Sequence, residues 1–173
     1  MEKEAHEYEA DGKRAFTAGR YAEAAESFRQ ASRLFVRADE GLRSAEMDNN
    51  LSVALLKNKQ PREALEAAQG TQQVFAAVGD KPRQGMALGN QGAALEDLKK
   101  YAEAIAIYEQ AAALFAQSGH GDMQSLTLKS IAGIRLKQGQ FNTAGVEMLG
   151  SLGTVQNPSL LQRCTRFLLR FLP

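Results

Sequence analysis

The 173-residue sequence has one cysteine, no tryptophan, four prolines and a net charge of only +1. A single cysteine excludes an internal disulfide and a zinc site held by cysteines alone. The balance of 21 Lys and Arg against 20 Asp and Glu differs from the strongly basic composition typical of nucleic-acid-binding domains. The hydrophobic content of 44% is that of an ordinary globular domain, and the length predicts one domain.

Long apolar runs are also missing. No stretch approaches the roughly 20 apolar residues that a membrane-spanning helix needs. The opening residues 1–7 are charged and lack the apolar core of a secretory signal. We therefore expect a cytoplasmic protein that does not cross a membrane.

The strongest signal in the sequence is a repeat with a period of 40 residues. Residues that are 40 positions apart share their chemistry over four copies. The repeated positions are Tyr21, Pro61, Tyr101 and Phe141; Ala24, Ala64, Ala104 and Ala144; Phe35, Phe75 and Phe115; and the small residues Gly12, Ser52, Gly92 and Ala132.

Each copy predicts two helices, because apolar residues recur at helical spacing and not in the alternation of a strand. The small repeated residues allow two helices to approach to about 8–10 Å. Pro61 is suited to the first position of a helix, where no hydrogen bond is lost. The glycines between copies predict a left-handed residue after a helix. The aspartates that follow, Asp39, Asp80 and Asp122, are each expected to cap the N-terminus of the next helix.

These positions resemble the tetratricopeptide repeat, which has a small residue in its first helix, an aromatic at the bend, and alanines flanking an aromatic in its second helix. The third copy matches with Gly92, Tyr101, Ala104, Tyr108 and Ala111. The 40-residue period is similar to that of the subtype in kinesin light chains and Pins/LGN-type adaptors. The resemblance covers about residues 5–155. It implies an all-α, right-handed superhelical solenoid of four helical hairpins.

We expect a single domain over residues 1–173, with repeats at about 1–38, 39–78, 79–118 and 119–156 and a capping helix at about 158–171. Asn157 and Pro158 suit the start of that helix. Its apolar face consists of Leu160, Leu161, Cys164, Phe167, Leu168 and Phe171. This face predicts a cap on the last hairpin; the alternatives are docking on a second copy as a homodimer and binding to a membrane surface.

Catalytic motifs are absent from the sequence. It contains no phosphate-binding loop, dinucleotide fingerprint, zinc-protease motif or nucleophile elbow. His6 and His120 are far apart, and Cys164 lies on an apolar stripe typical of a buried small hydrophobe. We therefore expect no enzymatic activity, no cofactor and no metal.

A binding surface remains, because the first helices of stacked hairpins line the concave face of such solenoids. The predicted groove residues are Asn50, Asn90, Val53, Leu56, Lys57, Lys129, Ser130, Leu136 and Lys137, and the first copy adds Glu9, Lys13, Phe16 and Thr17. With little aromatic surface and no arginine cluster, this groove does not favour nucleic acid. We expect a non-catalytic scaffold that binds a peptide segment of another protein.

Asn50 and Asn90 occupy the same position in successive copies. A side-chain amide can both donate to and accept from an extended peptide backbone. The peptide-binding proteins that the chain resembles place asparagine in this position. The alternative is that each amide bonds a neighbouring helix or water. At the level of function, the alternatives are a self-associating module that uses residues 158–171 and the repeat fragment of a peptide-sensing regulator.

Overall fold

The computed structural model describes residues 2–154, and the side chains of residues 4–153. All the regular structure in this part of the chain is helical. The helices are α1 (Glu2–Thr17), α2 (Tyr21–Arg37), α3 (Gly41–Lys57), α4 (Pro61–Ala68), α5 (Thr71–Ala77), α6 (Lys81–Asp97), α7 (Tyr101–Gln117), α8 (Gly121–Lys137) and α9 (Phe141–Thr154). The predicted capping helix at 158–171, with Leu160, Leu161, Cys164, Phe167, Leu168 and Phe171, lies outside the described residues.

Consecutive helices pack as antiparallel pairs, and the pairs stack in chain order into a solenoid. The four hairpins are α1 with α2, α3 with α4 and α5, α6 with α7, and α8 with α9. The second helices begin at Tyr21, Pro61, Tyr101 and Phe141, which keeps the 40-residue period of the sequence. The prediction of an all-α solenoid of helical hairpins is therefore confirmed.

The turns between helices share one backbone conformation, with a left-handed residue every 20 positions. Glycine supplies this residue at 19, 79, 119 and 139, whereas Asp39, Lys59 and Lys99 adopt it with φ of 60–62°. In the first turn Gly19 N–H donates to the carbonyl of Phe16, and Arg20 N–H donates to that of Ala15. This pair of bonds is the Schellman arrangement, which satisfies carbonyls at the end of a helix.

The aspartate caps were predicted correctly at one turn of three. Asp80 precedes α6, and its side chain accepts a hydrogen bond from the backbone N–H of Arg83 at 3.0 Å. Asp39 is instead the left-handed residue of its turn, and Asp122 lies inside the first turn of α8. A cap must stand immediately before the first helical residue, whereas Asp39 precedes the cap position Glu40 by one residue and Asp122 follows the cap position His120 by two.

The repeated alanines and phenylalanines form the core. Ala24, Ala64 and Ala104 are fully buried, and Phe35 and Phe75 have no exposed surface. The alanines allow the two helices of a hairpin to approach closely, and the phenylalanines fill space against the hairpin that follows. The small and aromatic positions of the sequence are thus explained by packing within and between hairpins.

The second hairpin departs from the others, because its second helix is broken between Ala68 and Thr71. Gly70 takes a left-handed conformation with φ of 82°, which frees the carbonyl of Ala68. That carbonyl accepts hydrogen bonds from the Gln91 amide at 2.9 Å and from the Thr71 hydroxyl at 2.8 Å. The period alone predicts a continuous helix here, so the break is a feature that the repeat pattern did not indicate.

Candidate functional site

The candidate site lies on the first helices α1, α3 and α6, which we call the first-helix face. A cavity of about 210 Å³ separates α1 from α3. We call it the apolar cleft; its lining residues are Lys13, Phe16, Thr17, Phe28, Asn50 and Val53. The rings of Phe16 and Phe28 with the side chain of Val53 make its walls mostly hydrocarbon.

A glycine brings the ring of Phe28 to this cleft. Phe28 belongs to α2, and a Cβ placed on Gly12 of α1 would lie 2.7 Å from its ring. Because Gly12 has no side chain, the ring packs directly on the backbone of α1. Phe28 is otherwise buried, with 3% of its surface exposed, so the cleft reaches the hydrophobic core.

A second cavity of about 250 Å³ adjoins the first and shares Lys13 and Asn50 with it. We call it the charged cleft; its lining residues are Glu9, Lys13, Arg43, Glu46, Met47, Asn49, Asn50, Phe75, Arg83 and Met86. These residues come from α1, α3, α5 and α6. The two clefts therefore form a continuous surface over the first three hairpins.

Ion pairs cross the charged cleft from hairpin to hairpin. Glu9 of α1 accepts from Arg43 of α3 at 2.6 Å, and Arg43 also bonds Glu46 at 3.0 Å. Glu46 pairs in turn with Arg83 of α6, whose Nε lies 3.0 Å from Asp80. These bonds hold the first helices of three successive hairpins in register.

The environment of Glu9 favours its ionised form. Burial by itself raises the pKa of Glu9, but the hydrogen bond and charge of Lys13 and the charge of Arg43 outweigh burial and hold it below its ordinary value. Lys13 Nζ lies 2.6 Å from the carboxylate. This carboxylate therefore positions Lys13 at the rim that the two clefts share.

Each cleft arginine also lies over a phenylalanine of the hairpin before its own helix. The guanidinium carbon of Arg43 is 5.3 Å from the ring centroid of Phe35, and that of Arg83 is 5.8 Å from that of Phe75. Both distances are typical of a cation–π interaction. The same contact thus repeats after 40 residues and orients both arginines.

The side chains of the two predicted asparagines have different surroundings in the structure. Asn50 lines both clefts, and within residues 2–154 no hydrogen bond engages its side chain. The amide of Asn90 points at α3, where it donates to the backbone carbonyl of Asn49 at a long 3.5 Å. Asn50 is therefore the amide that faces open space, while Asn90 contacts a neighbouring helix.

Of the remaining predicted groove residues on α3 and α8, only Val53 lines a cleft described above. Val53 lines the apolar cleft, and Leu56 packs half-buried on the core below it. Lys57 is exposed at the end of α3, and Leu136 is 44% exposed at the end of α8. Lys129 is half-buried on α8. The structure thus brings Val53 together with Asn50 and places the α8 residues outside both clefts.

Two predicted residues of α8 have partners elsewhere. The ammonium group of Lys137 donates to Glu96 at 2.8 Å, and this hydrogen bond and the charge of Glu96 raise the pKa of Lys137. Glu96 also accepts from the hydroxyl of Tyr108 at 3.2 Å. The hydroxyl of Ser130 donates to the carbonyl of Leu126 in its own helix. Lys137 therefore links α8 to α6.

The sequence reasoning missed Phe28, Arg43, Glu46 and Arg83. Arg43 and Arg83 stand 40 residues apart, so they occupy one repeat position, and each follows a repeated phenylalanine by eight residues. That coincidence was a usable signal. The sequence contained no such signal for Phe28, because an aromatic residue in the second helix is expected to lie in the hydrophobic core.

Two family models match the chain, and both describe a tetratricopeptide repeat. One covers residues 43–117 and the other residues 10–73. Together they span residues 10–117, which include every lining residue of the two clefts except Glu9. A comparison with curated protein sequences finds no significant match.

Solved structures share the fold at low sequence identity. The apo form of RapI superposes with a TM-score of 0.77 at 16% identity over 90% of this chain. The TM-score is 0.74, at 15% identity, for a Podosopora anserina putative kinesin light chain with nearly identical TPR-like repeats. The match covers 95% of this chain and 81% of that one. A substituted form of that kinesin light chain has a TM-score of 0.75 at 16% identity, and the match covers 98% of this chain and 84% of that one. The present chain spans 44% of the RapI chain.

Within residues 2–154, no helix combines the length and apolarity needed to cross a lipid bilayer.

Proposed function

The chain belongs to the tetratricopeptide repeat family, and on that premise we propose that it is a non-catalytic scaffold that holds a peptide segment of a partner protein on the first-helix face. Members of this family are generally protein–protein interaction modules, and no catalytic family matches the chain. The partner segment would lie across the apolar and charged clefts.

One observation carries the proposal, namely the position of Asn50 between two connected clefts. An amide that donates and accepts can bond an extended peptide backbone as a neighbouring strand would. The hydrocarbon walls of the apolar cleft lie on one side of it and charged groups on the other. Asn90 contributes less, because its amide already contacts α3.

The proposal is tested with a phage-displayed library of random 12-residue peptides, selected on the full chain. We expect the selected peptides to lose about fivefold or more in affinity for Asn50→Ala, since a hydrogen bond contributes about 1 kcal/mol. Asn142→Ala is the matched control, because Asn142 is an exposed amide on α9 outside both clefts. Failure to select any peptide, or equal binding to both variants, would contradict the proposed function.

A further inference from the structure

We propose that one edge of the solenoid, formed by the turns inside the four hairpins, docks on an anionic lipid bilayer. These turns are residues 18–20, 58–60, 98–100 and 138–140. We call this surface the turn edge, and it includes the last helical turn before each of these turns and the first helical turn after it. The turns between hairpins, at 38–40, 78–80 and 118–120, form the opposite edge together with the start of α1.

The turns inside the hairpins lie side by side because the first helices run parallel. The Asn90 amide of α6 meets the carbonyl of Asn49 on α3 at 3.5 Å. In the same way Lys137, at the end of α8, donates to Glu96, near the end of α6, at 2.8 Å. Equivalent positions of successive first helices thus adjoin, at the roughly 8–10 Å that separates packed helices. The ends of α3, α6 and α8, with the turns that follow them, therefore form one row.

The turn edge is basic. It contains nine lysines and arginines and five carboxylates. The basic residues are Arg14, Arg20, Lys57, Lys59, Arg62, Lys99, Lys100, Arg135 and Lys137, and the carboxylates are Glu23, Glu63, Glu96, Asp97 and Glu103. A row of basic residues attracts the negative surface of an anionic leaflet.

The opposite edge does not share this excess. Among residues 4–153 it contains four basic residues and five carboxylates, taken over the same helical turns. They are Arg37, Arg43, Lys81 and Arg83 against Glu4, Asp39, Glu40, Asp80 and Asp122. The net charge of +1 for the whole chain therefore conceals an uneven distribution along the helices. Such a distribution orients a protein in the field of a charged surface.

Ion pairs leave several cations of the turn edge free. Arg20 and Lys100 are paired with Glu23 and Glu103, at 3.1 and 3.3 Å. The exposed basic residues of this edge without an ion pair within residues 4–153 are Lys57, Lys59, Arg62 and Lys99, and the corresponding carboxylates are Glu63 and Asp97. Free cations thus outnumber free carboxylates by four to two.

Exposed apolar side chains accompany this charge. Phe141, which begins α9, is 70% exposed, and Leu136 near the end of α8 is 44% exposed. The residues at the position of Phe141 in the other copies, Tyr21, Pro61 and Tyr101, are half-buried. Apolar side chains beside basic residues are typical of proteins that bind at the interface of a bilayer, since insertion removes apolar surface from water.

Phe141 and Leu136 favour a bilayer over a soluble polyanion, because a polyanion would engage the basic residues and leave both apolar side chains in water. The four free cations and these two apolar residues line neither cleft. The docking site is therefore independent of the proposed peptide site.

The first experiment measures sedimentation of the full chain with vesicles of phosphatidylcholine that contain about 30 mol% phosphatidylserine. We expect binding to these vesicles and not to pure phosphatidylcholine. The double variant Lys59→Gln with Lys99→Gln should bind about tenfold or more weakly. The matched control, Arg37→Gln with Lys81→Gln, removes the same charge from exposed and unpaired side chains of the opposite edge and should bind as the parent protein does.

The second experiment uses the absence of tryptophan from the chain. Phe141→Trp introduces a single fluorophore at the turn edge, and its emission should shift to shorter wavelength on addition of phosphatidylserine vesicles. Val36→Trp introduces the same fluorophore at a 63% exposed site of the opposite edge, where no shift is expected. Circular dichroism verifies that each variant is folded.

Three results would overturn the proposal. One is the absence of binding to phosphatidylserine vesicles, or equal binding to pure phosphatidylcholine. Another is an equal effect of the two double variants, which would assign vesicle binding to residues outside the turn edge. The third is binding to heparin as strong as that to vesicles, with unchanged emission of Phe141→Trp, which would assign the turn edge to a soluble polyanion. Each leaves the proposed peptide site in place, since that site is tested through Asn50.

Discussion

Gly12 and Phe28 form a complementary pair across the first hairpin. A Cβ on Gly12 would lie 2.7 Å from the Phe28 ring, well inside the 3.5–4.0 Å of ordinary carbon contacts. Gly92 and Tyr108, 80 positions later, repeat the pair with the same 2.7 Å. The second hairpin has Ser52 and Ala68 at these positions, so a side chain appears on the first helix where the aromatic is missing.

The first prediction follows from this pairing. Gly92→Ala should destabilise the fold by about 1–3 kcal/mol, because the added methyl group collides with the Tyr108 ring. Gly89→Ala, in the same helix but with open space around its Cβ, should stabilise it by about 0.5–1 kcal/mol. Urea denaturation measures the free energy of unfolding of both variants, which is compared with that of the parent protein. Equal effects of the two substitutions would show that the close approach does not constrain position 92.

The second prediction concerns the left-handed turns. Lys99 has φ of 60°, a conformation that costs a residue with a side chain about 1–2 kcal/mol. Lys99→Gly should therefore stabilise the chain by a few tenths to about 1 kcal/mol, since glycine also loses more chain entropy on folding. Gly119→Ala, at a φ of 75°, should cost about 1 kcal/mol. Thermal melts of both variants measure the opposite shifts, and a stabilising Gly119→Ala would refute the turn geometry.

The third prediction concerns the break in the second hairpin. The buried hydroxyl of Thr71 shares its one proton between two acceptors, the Ala68 carbonyl oxygen at 2.8 Å and Oδ1 of Asn49 at 3.1 Å. Thr71→Val keeps the shape but removes both bonds, and should cost about 1–2 kcal/mol. Thr143→Val at an exposed site of α9 is the control, expected within about 0.5 kcal/mol of the parent protein. Equilibrium unfolding in urea measures the free energy of unfolding of the two variants and so distinguishes their effects.

The fourth prediction is a pH dependence at Asp48. Burial raises the pKa of Asp48, and a hydrogen bond from Ser32 only partly opposes it. The folded state therefore carries an ionised Asp48 at a cost near pH 7, and that cost disappears as pH falls below the unfolded pKa of about 3.9. Asp48→Asn should raise the melting temperature at pH 7 and have little effect below pH 4. A lower melting temperature at pH 7 would contradict this assignment.

The fifth prediction has the opposite sign at Glu9. Its lowered pKa means that the ionised form stabilises the fold above the unfolded pKa of about 4.3 and that this contribution is lost as pH falls through the folded pKa. Glu9→Gln should cost about 1–3 kcal/mol at pH 7, because charged hydrogen bonds from Lys13 and Arg43 are weakened. The difference from the parent protein should shrink in melts below pH 4. If the stability difference between Glu9→Gln and the parent protein stayed constant over this pH range, the charge of Glu9 would not be what stabilises the fold.

Much of the architecture was predictable from the spacing of residues. Equivalent positions such as Phe35 and Phe75 occupy equivalent buried surroundings because each hairpin repeats the same local geometry. The candidate site was predictable only in part. Asn50 and Val53 meet at the apolar cleft, whereas Lys137 is paired with Glu96. The expected domain limits and the cap at 158–171 stay predictions.

The amino-acid sequence alone determined the number of hairpins, their helical periods and the positions of the small and aromatic residues. These depend on local spacing, which is visible along one chain. Tertiary structure alone decided that Asn50 stays open while Asn90 contacts α3, that two clefts adjoin at Lys13, and that Glu9, Arg43, Glu46 and Arg83 join three hairpins. The physical reason is that these contacts join side chains from different hairpins, and the packing of one hairpin on the next sets their distances.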